Sequence, residues 1–158
     1  MLRHQAISPA NRLRCALGAA LLLAALPAIA ALGQPATSIA ADGSVLAQQP
    51  LQAASAGVSV VRVTTAEGVL VTEYVNQGVV FALSWSGAVM PSLQPLLADA
   101  FPTLRAWLGS HPLALNQPIA MDTPQLVVRA AGHMHAFNGL AYLPALVPPG
   151  FDLNQIGN

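Results

Sequence analysis

The sequence predicts an α+β domain: an antiparallel sheet of about five strands with one kinked amphipathic helix packed on one face. Three observations point there. Three β-branched, period-two runs follow one another between residues 58 and 86, separated by Gly-ended breaks of hairpin length. One apolar stripe with spacings of three and four then runs from Leu93 to Leu108. Further strand-like runs fill residues 125–146, and 158 residues suit one domain.

The first strand is "VSVVRVTT" (58–65), the second "VLVTEYV" (69–75) and the third "VVFALSWS" (79–86). "AEG" (66–68) and "NQG" (76–78) each end on a glycine suited to the left-handed position of a three-residue hairpin loop. Alternation places Val79, Phe81, Leu83 and Trp85 on one face of the third strand, the core side, and Val80, Ala82, Ser84 and Ser86 on the other. Trp85 is then a core anchor before it is a ligand platform, because large aromatic side chains dominate cores.

"GAVMP" (87–91) turns the chain and Ser92 can cap the helix. Leu93, Leu96, Leu97, Ala100, Phe101, Leu104 and Leu108 form its apolar stripe, which packs on the sheet. Pro95 is harmless in the first turn, but the ring of Pro102 opposes the carbonyl of Ala98 and must kink or split the helix near Phe101. Gly109 is a suitable stop. "SHPLALNQPIAMDTP" (110–124), with three prolines, reads as a loop. "QLVVRAA" (125–131) is a fourth strand, and "HMHAFNG" (133–139) with "LAYLPAL" (140–146) supply one or two more. The Pro/Gly-punctuated tail, 147–158, lies along the surface.

The start of the chain reads as an address. Arg3, Arg12 and Arg14 precede the uncharged run "CALGAALLLAALPAIAAL" (15–32), and Ala28-Ile29-Ala30 after Pro27 is an A-x-A cleavage site. Residues 1–30 are therefore expected to be a Sec signal peptide cleaved after Ala30, leaving a periplasmic or secreted protein with no membrane span. Residues 31–57 are read as a flexible N-terminal segment in which Asp42 could cap a short helix through Gln49, ended by Pro50. The single domain then covers 58–146.

Charge and cysteine exclude several functions. Cys15, the one cysteine, falls in the leader, so the remainder has neither a disulfide framework nor a thiol nucleophile. From residue 31 onward Arg62, Arg105 and Arg129 face Asp42, Glu67, Glu73, Asp99, Asp122 and Asp152, three against six, a net charge of −3, and there is no lysine. Nucleic-acid affinity depends on neutralising phosphates, which three scattered arginines cannot do.

"AAGHMHAFNG" (130–139) raises the question of a site, because His133 and His135 are two apart. On one continuous strand they would share a face with Phe137. A metal would need a third or fourth ligand, from His111, Asp122, Glu67 or Glu73. H-x-H lacks the helical acid that makes H-E-x-x-H specific, so ordinary strand residues are the simpler reading. Ser84, Ser86, His133 and Asp122 could be drawn into a triad, but no G-x-S-x-G elbow supports one. Glu67 and Glu73 form no special carboxylate pair. The sequence offers no catalytic residue and implies no cofactor.

"ALGQPATSIAAD", "EYVNQGVVFALSWSGAVMPSLQPLL" and "AAGHMHAFNGLAYLPALVPPGFD", in that order, resemble the secreted proteobacterial family catalogued as Domain of Unknown Function 2844. The most specific pieces are Glu73-Tyr74-Val75, Phe81 through Trp85, Gly87 with Met90-Pro91, and Gly132-His133-Met134 with Ala136-Phe137. The resemblance implies a small exported bacterial protein and no activity. The family pattern reads G-H-M-x-A-F, so His135 falls at its open position and His133 is the residue of interest. Pro102 departs from the pattern, which puts a single straight helix in doubt.

These readings favour a non-enzymatic binding or accessory module that meets an envelope or secreted protein partner through a sheet face low in charge, or through a sheet edge. Trp85, His133 and Phe137 are its candidate binding residues. The alternative is a metal-binding or histidine-dependent site around His133 and His135. A purely structural envelope component shares most expectations of the first reading.

Overall fold

The computed structural model describes residues 31–36, 45–53, 57–114 and 117–157, with the backbone alone for 45–53. The expected leader and its cleavage site lie outside the described residues. The chain builds one antiparallel sheet from β1 (Val45–Ala53), β2 (Ser59–Thr65), β3 (Leu70–Asn76), β4 (Val79–Gly87), β5 (Ile119–Asp122), β6 (Val127–His133) and β7 (Ala136–Tyr142), in the order β1-β2-β3-β4-β7-β6-β5. The α+β class holds, but residues 59–142 supply six strands rather than about five, and β1 adds to their edge.

Two of these strands were hidden in segments read otherwise. β1 occupies part of the stretch expected to be flexible, including residues 45–49 of the short helix expected before Pro50, whose cap Asp42 lies outside the described residues. Its pairing with β2 is irregular between Gln49 and Gln52, so Pro50 sits where the edge ladder is interrupted. β5 lies inside the proline-rich loop and is only four residues long. A strand that short shows too few alternations to be read as a period.

The first hairpin matches its expected geometry. Thr65 and Val69 pair around Ala66-Glu67-Gly68, with Gly68 at φ 77°. The second is tighter than expected: Asn76 still pairs with Val79, leaving the two-residue turn Gln77-Gly78 with φ values of 49° and 80°. Two positive φ values define a type I′ turn, whose twist suits the flanking strands.

Val71, Glu73, Leu83, Trp85, Val128, Ala130 and Ala141 share the helix side of the sheet by register. Leu83, Trp85, Val71, Val128 and Ala141 pack there with Leu96, Leu97, Leu104 and Met121 as the main core. Phe81 does not share the face of Leu83 and Trp85, as simple alternation required. Tyr74 pairs with Ala82 but Val75 pairs with Val80, so Phe81 is the extra residue of a β-bulge. The bulge sends Phe81 to the opposite side, where it packs with Tyr74, Ala82, Phe151 and Ile156.

The helix is split, as Pro102 required. α1 (Leu93–Leu97) and α2 (Phe101–Ser110) are joined by a tight turn over Ala98–Ala100. The break falls at Ala98, at φ 40°, the residue whose carbonyl the Pro102 ring would have met. Pro102 thereby becomes a first-turn proline of α2. Ser92 precedes α1 but makes no side-chain cap bond, and α2 runs on through Gly109 to Ser110.

The ends of the described chain are tied down. Leu32 donates its N–H to Leu96 and is 1 % exposed, and Gly33 and Ala36 donate to Val80 and Gly78. The C-terminal tail does more than lie along the surface: Phe151 meets Phe81 edge-on at 5.2 Å and Tyr74 at 6.1 Å. The Tyr74 hydroxyl donates to the Gln155 carbonyl at 2.8 Å and accepts from the Gly157 N–H at 3.0 Å. The tail thus covers one end of the sheet face opposite the helices and leaves the other end open.

Candidate functional site

The strand pairings line up one row of residues on that opposite face: Arg62, Thr72, Ser84, Leu140, Arg129 and Ala120. A second row holds Leu70, Ser86, Asn138 and Ala131. Together they line a groove of about 570 Å³, with Ile156 and Gly157 of the tail as one wall and Pro118 beside Ala120 at the far side. That volume is in the range of small-ligand sites. Thr72 and Ser84 form its floor and are 8 % and 6 % exposed, while Ser86 and Asn138 are open to solvent.

The groove is mixed, with more apolar than polar surface, and its polar groups lie along the floor and rim. The Thr72, Ser84 and Ser86 hydroxyls and the Asn138 amide make no hydrogen bond among the described residues, so their donors and acceptors face the groove. Arg62 and Arg129 stand near its two sides. They are separated by four strand spacings, about 19 Å between backbones. Asp122 lies 3.6 Å from Arg129, with both side chains more than 60 % exposed. An ion pair that open to water is worth little and yields readily to a competing anion. The face expected to be low in charge and apolar thus carries two arginines, with the Thr72, Ser84 and Ser86 hydroxyls set among apolar neighbours.

The residues singled out from sequence scatter. His133 and His135 do not share a strand face, because the strand ends between them. His133 pairs with Ala136 across the turn Met134-His135, with His135 at φ 67°. This is the left-handed position that favours glycine or asparagine. All three residues are exposed, Met134 at 81 %, and His133 Nδ1 lies 3.4 Å from the Met134 carbonyl. The potential third ligands lie in other settings. His111 stacks on Trp107 at 4.4 Å at the end of α2, Asp122 faces Arg129, Glu67 is in the first turn and Glu73 is inside. No group of three His, Cys, Asp or Glu side chains that could hold one ion occurs among the described residues.

Trp85 and Phe137 have packing roles. The Trp85 ring is 2 % exposed and lies over Gly139, its direct partner, where a Cβ would overlap it. Phe137 covers Gly132 in the same way, with its Cδ1 2.5 Å from where a Cβ would sit. The glycines of "AAGHMHAFNG" are thus seats for aromatic rings. In β4 it is Ser84 and Ser86, on either side of Trp85, that reach the groove.

Two buried polar groups lack partners among the described residues: the Trp85 Nε1–H and both carboxylate oxygens of Glu73. Glu73 faces the helix side between Val61 and Leu83 and is 1 % exposed. Burial pushes its carboxyl up to about 8, so it is protonated at neutral pH. Glu67 behaves in the opposite way, held low by a hydrogen bond from the Thr65 side chain and by backbone hydrogen bonding.

Sequence reasoning overlooked Arg62, Thr72, Arg129 and Asn138. Parity alone could have placed Arg62 opposite Val61 and Val63, and Arg129 opposite Val128 and Ala130. It could not have shown that both belong to one row.

A model of the family described as "Protein of unknown function (DUF2844)" matches residues 28–156. The chain belongs to this family. No curated protein and no solved structure matches it. The matched DUF2844 region contains every residue of the groove except Gly157, both arginines included, and begins beyond the charged start and most of the apolar run. Among the described residues, no helix is long and apolar enough to cross a membrane.

Proposed function

We propose that this DUF2844 protein is an exported, non-enzymatic binding module that takes its ligand in the groove on the sheet face opposite the helices. The observation that carries the reading is the row Arg62–Thr72–Ser84–Leu140–Arg129, in which unpaired hydroxyls lie between two arginines. Such a surface supplies hydrogen bonds and positive charge to a bound ligand. Strand addition at the sheet edges is the weaker mode. β5 is four residues long and flanked by Pro118 and Pro124, and β1 carries Pro50, features that block edge pairing.

Export rests on the basic start, the uncharged run and the Ala28-Ile29-Ala30 site. The reading places the protein in the periplasm or outside the cell. Amino-terminal sequencing of protein recovered from those fractions is expected to begin at Ala31; an intact leader there would refute cleavage.

The site itself is tested by mapping backbone amide shifts of the protein on addition of fractionated envelope glycans and metabolites. Shifts concentrated at Thr72, Ser84, Ser86 and Asn138 support the groove. Shifts centred on the 133–135 hairpin or on α2, or none with any fraction, overturn it.

A further inference from the structure

Away from the groove, and independent of it, we propose that the hairpin tip His133-Met134-His135 binds Cu(I), a soft monovalent cation, through its two imidazoles and the Met134 thioether. The ligand set is the first argument. From residue 31 onward the chain has three histidines and three methionines, and two of those histidines flank one of those methionines. His, Cys, Asp and Glu alone form no ion site among the described residues, but thioether sulfur is a further ligand, and a soft one. Met134 is 81 % exposed whereas Met121 is buried, and no cysteine beyond residue 15 supplies a thiolate.

Placement is the second argument. All three residues are exposed at a two-residue turn, with His133 paired to Ala136 across it. A β-turn holds its end Cα atoms within about 7 Å, so the three side chains start from one short arc of backbone. A shared strand face is not required, because the ion sits over the tip. His133 Nδ1 lies 3.4 Å from the Met134 carbonyl. A ring nitrogen facing a carbonyl carries the proton, which leaves the Nε2 lone pair for a metal. Backbone carbonyls orient metal-binding imidazoles in this way. No hydrogen bond engages His135 or the Met134 sulfur among the described residues. His135 also holds a left-handed φ of 67°, where glycine is less strained, and such outliers cluster at ligand sites.

Charge and softness select the ion. All three ligands are neutral, and the nearest carboxylates lie elsewhere: Asp122 pairs with Val127 at the opposite end of β6, and Glu73 is inside. Ca²⁺ and Mg²⁺ require oxygen ligands. A structural Zn²⁺ requires four protein ligands drawn from Cys, His, Asp and Glu, and the tip offers two. Cu(I) takes imidazole and thioether together and carries a single charge. The exposed tip keeps the ion open to exchange with solvent or a second chelator.

The test is anaerobic titration of the full chain, as exported by its host, with Cu(I) supplied from a chromophoric Cu(I) chelator, so that binding reads as loss of the chelator's colour. One Cu(I) per chain is expected. Met134→Leu, His133→Gln and His135→Asn should each weaken binding at least about tenfold, since losing even a group that only orients a ligand typically has that effect. Asparagine tolerates the left-handed turn position, so His135→Asn removes the ligand and keeps the turn. Thermal melts of each variant separate lost binding from lost fold. Met90→Leu removes another exposed thioether and should leave binding unchanged. No uptake of Cu(I) overturns the inference, as does uptake that the tip variants leave intact. Uptake that falls with the histidines but not with Met134→Leu overturns the thioether ligand and the proposed site with it. An equal loss in Met90→Leu places the ion elsewhere and overturns the site. Zn²⁺ displacing Cu(I) at equal concentration overturns the choice of a soft ion.

Discussion

Glu73 gives the sharpest stability test. Its carboxyl is 1 % exposed, lacks a hydrogen-bond partner among the described residues, and is raised from 4.5 to about 8. In the unfolded chain it ionises near 4.5; in the folded chain it stays protonated until about pH 8. Between those values the native state holds the extra proton, so stability is highest below about pH 4.5 and falls as pH rises toward 8. At pH 7 some 2.5 pH units have been crossed at about 1.4 kcal/mol each, a loss on the order of 3 kcal/mol. Glu73→Gln keeps the shape and a buried polar group but cannot ionise. It is expected to be more stable than the parent by roughly that amount at pH 7 and indistinguishable near pH 4.5. Urea unfolding followed by tryptophan fluorescence, with Trp85 as a buried reporter, reads both. An unchanged or less stable Glu73→Gln at pH 7, or a parent whose stability is flat from pH 5 to 8, would show that the carboxylate is solvated or paired and refute the reasoning.

Tyr74→Phe removes both hydrogen bonds that hold Gln155 and Gly157; it should cost about 1–3 kcal/mol and speed hydrogen exchange in 151–157 while the sheet stays protected. Gly139→Ala forces a methyl into the Trp85 ring and against the Arg129 carbonyl, 2.8 Å from where Cβ would be; a loss of at least about 2 kcal/mol and a shifted Trp85 emission are expected in thermal unfolding. His135→Gly relieves the left-handed φ of 67° and should raise stability by up to about 1 kcal/mol. A marked loss of stability there would mean that the imidazole does more than occupy a turn.

The helix break was legible because a proline's demand is local. Its ring meets a carbonyl four residues back, and the chain answered at Ala98. The three-residue hairpin at 66–68 was legible for the same kind of reason, a glycine free to adopt φ 77°. Phe81 was misplaced because a bulge adds one residue on one strand only, and nothing within β4 announces that its partner will not follow. β1 and β5 were missed because their pairing comes from neighbours far along the chain rather than from their own pattern. The two histidines looked like one face only while the strand was taken to continue past Met134.

By itself, the sequence determined the period-two runs, the amphipathic stripe, the break at Pro102, the scarcity of positive charge and the family. Each is carried by neighbouring residues or by composition. Only the tertiary structure decided which residues share the groove. Arg62 and Arg129 are distant in sequence and meet in one row because β7 inserts between β4 and β6, and strand order is set by burial over the whole sheet. The same packing put Glu73 in the core and turned the tail into a wall, since a tail reaches its sheet through contacts such as Tyr74 with Gln155 that no local pattern encodes.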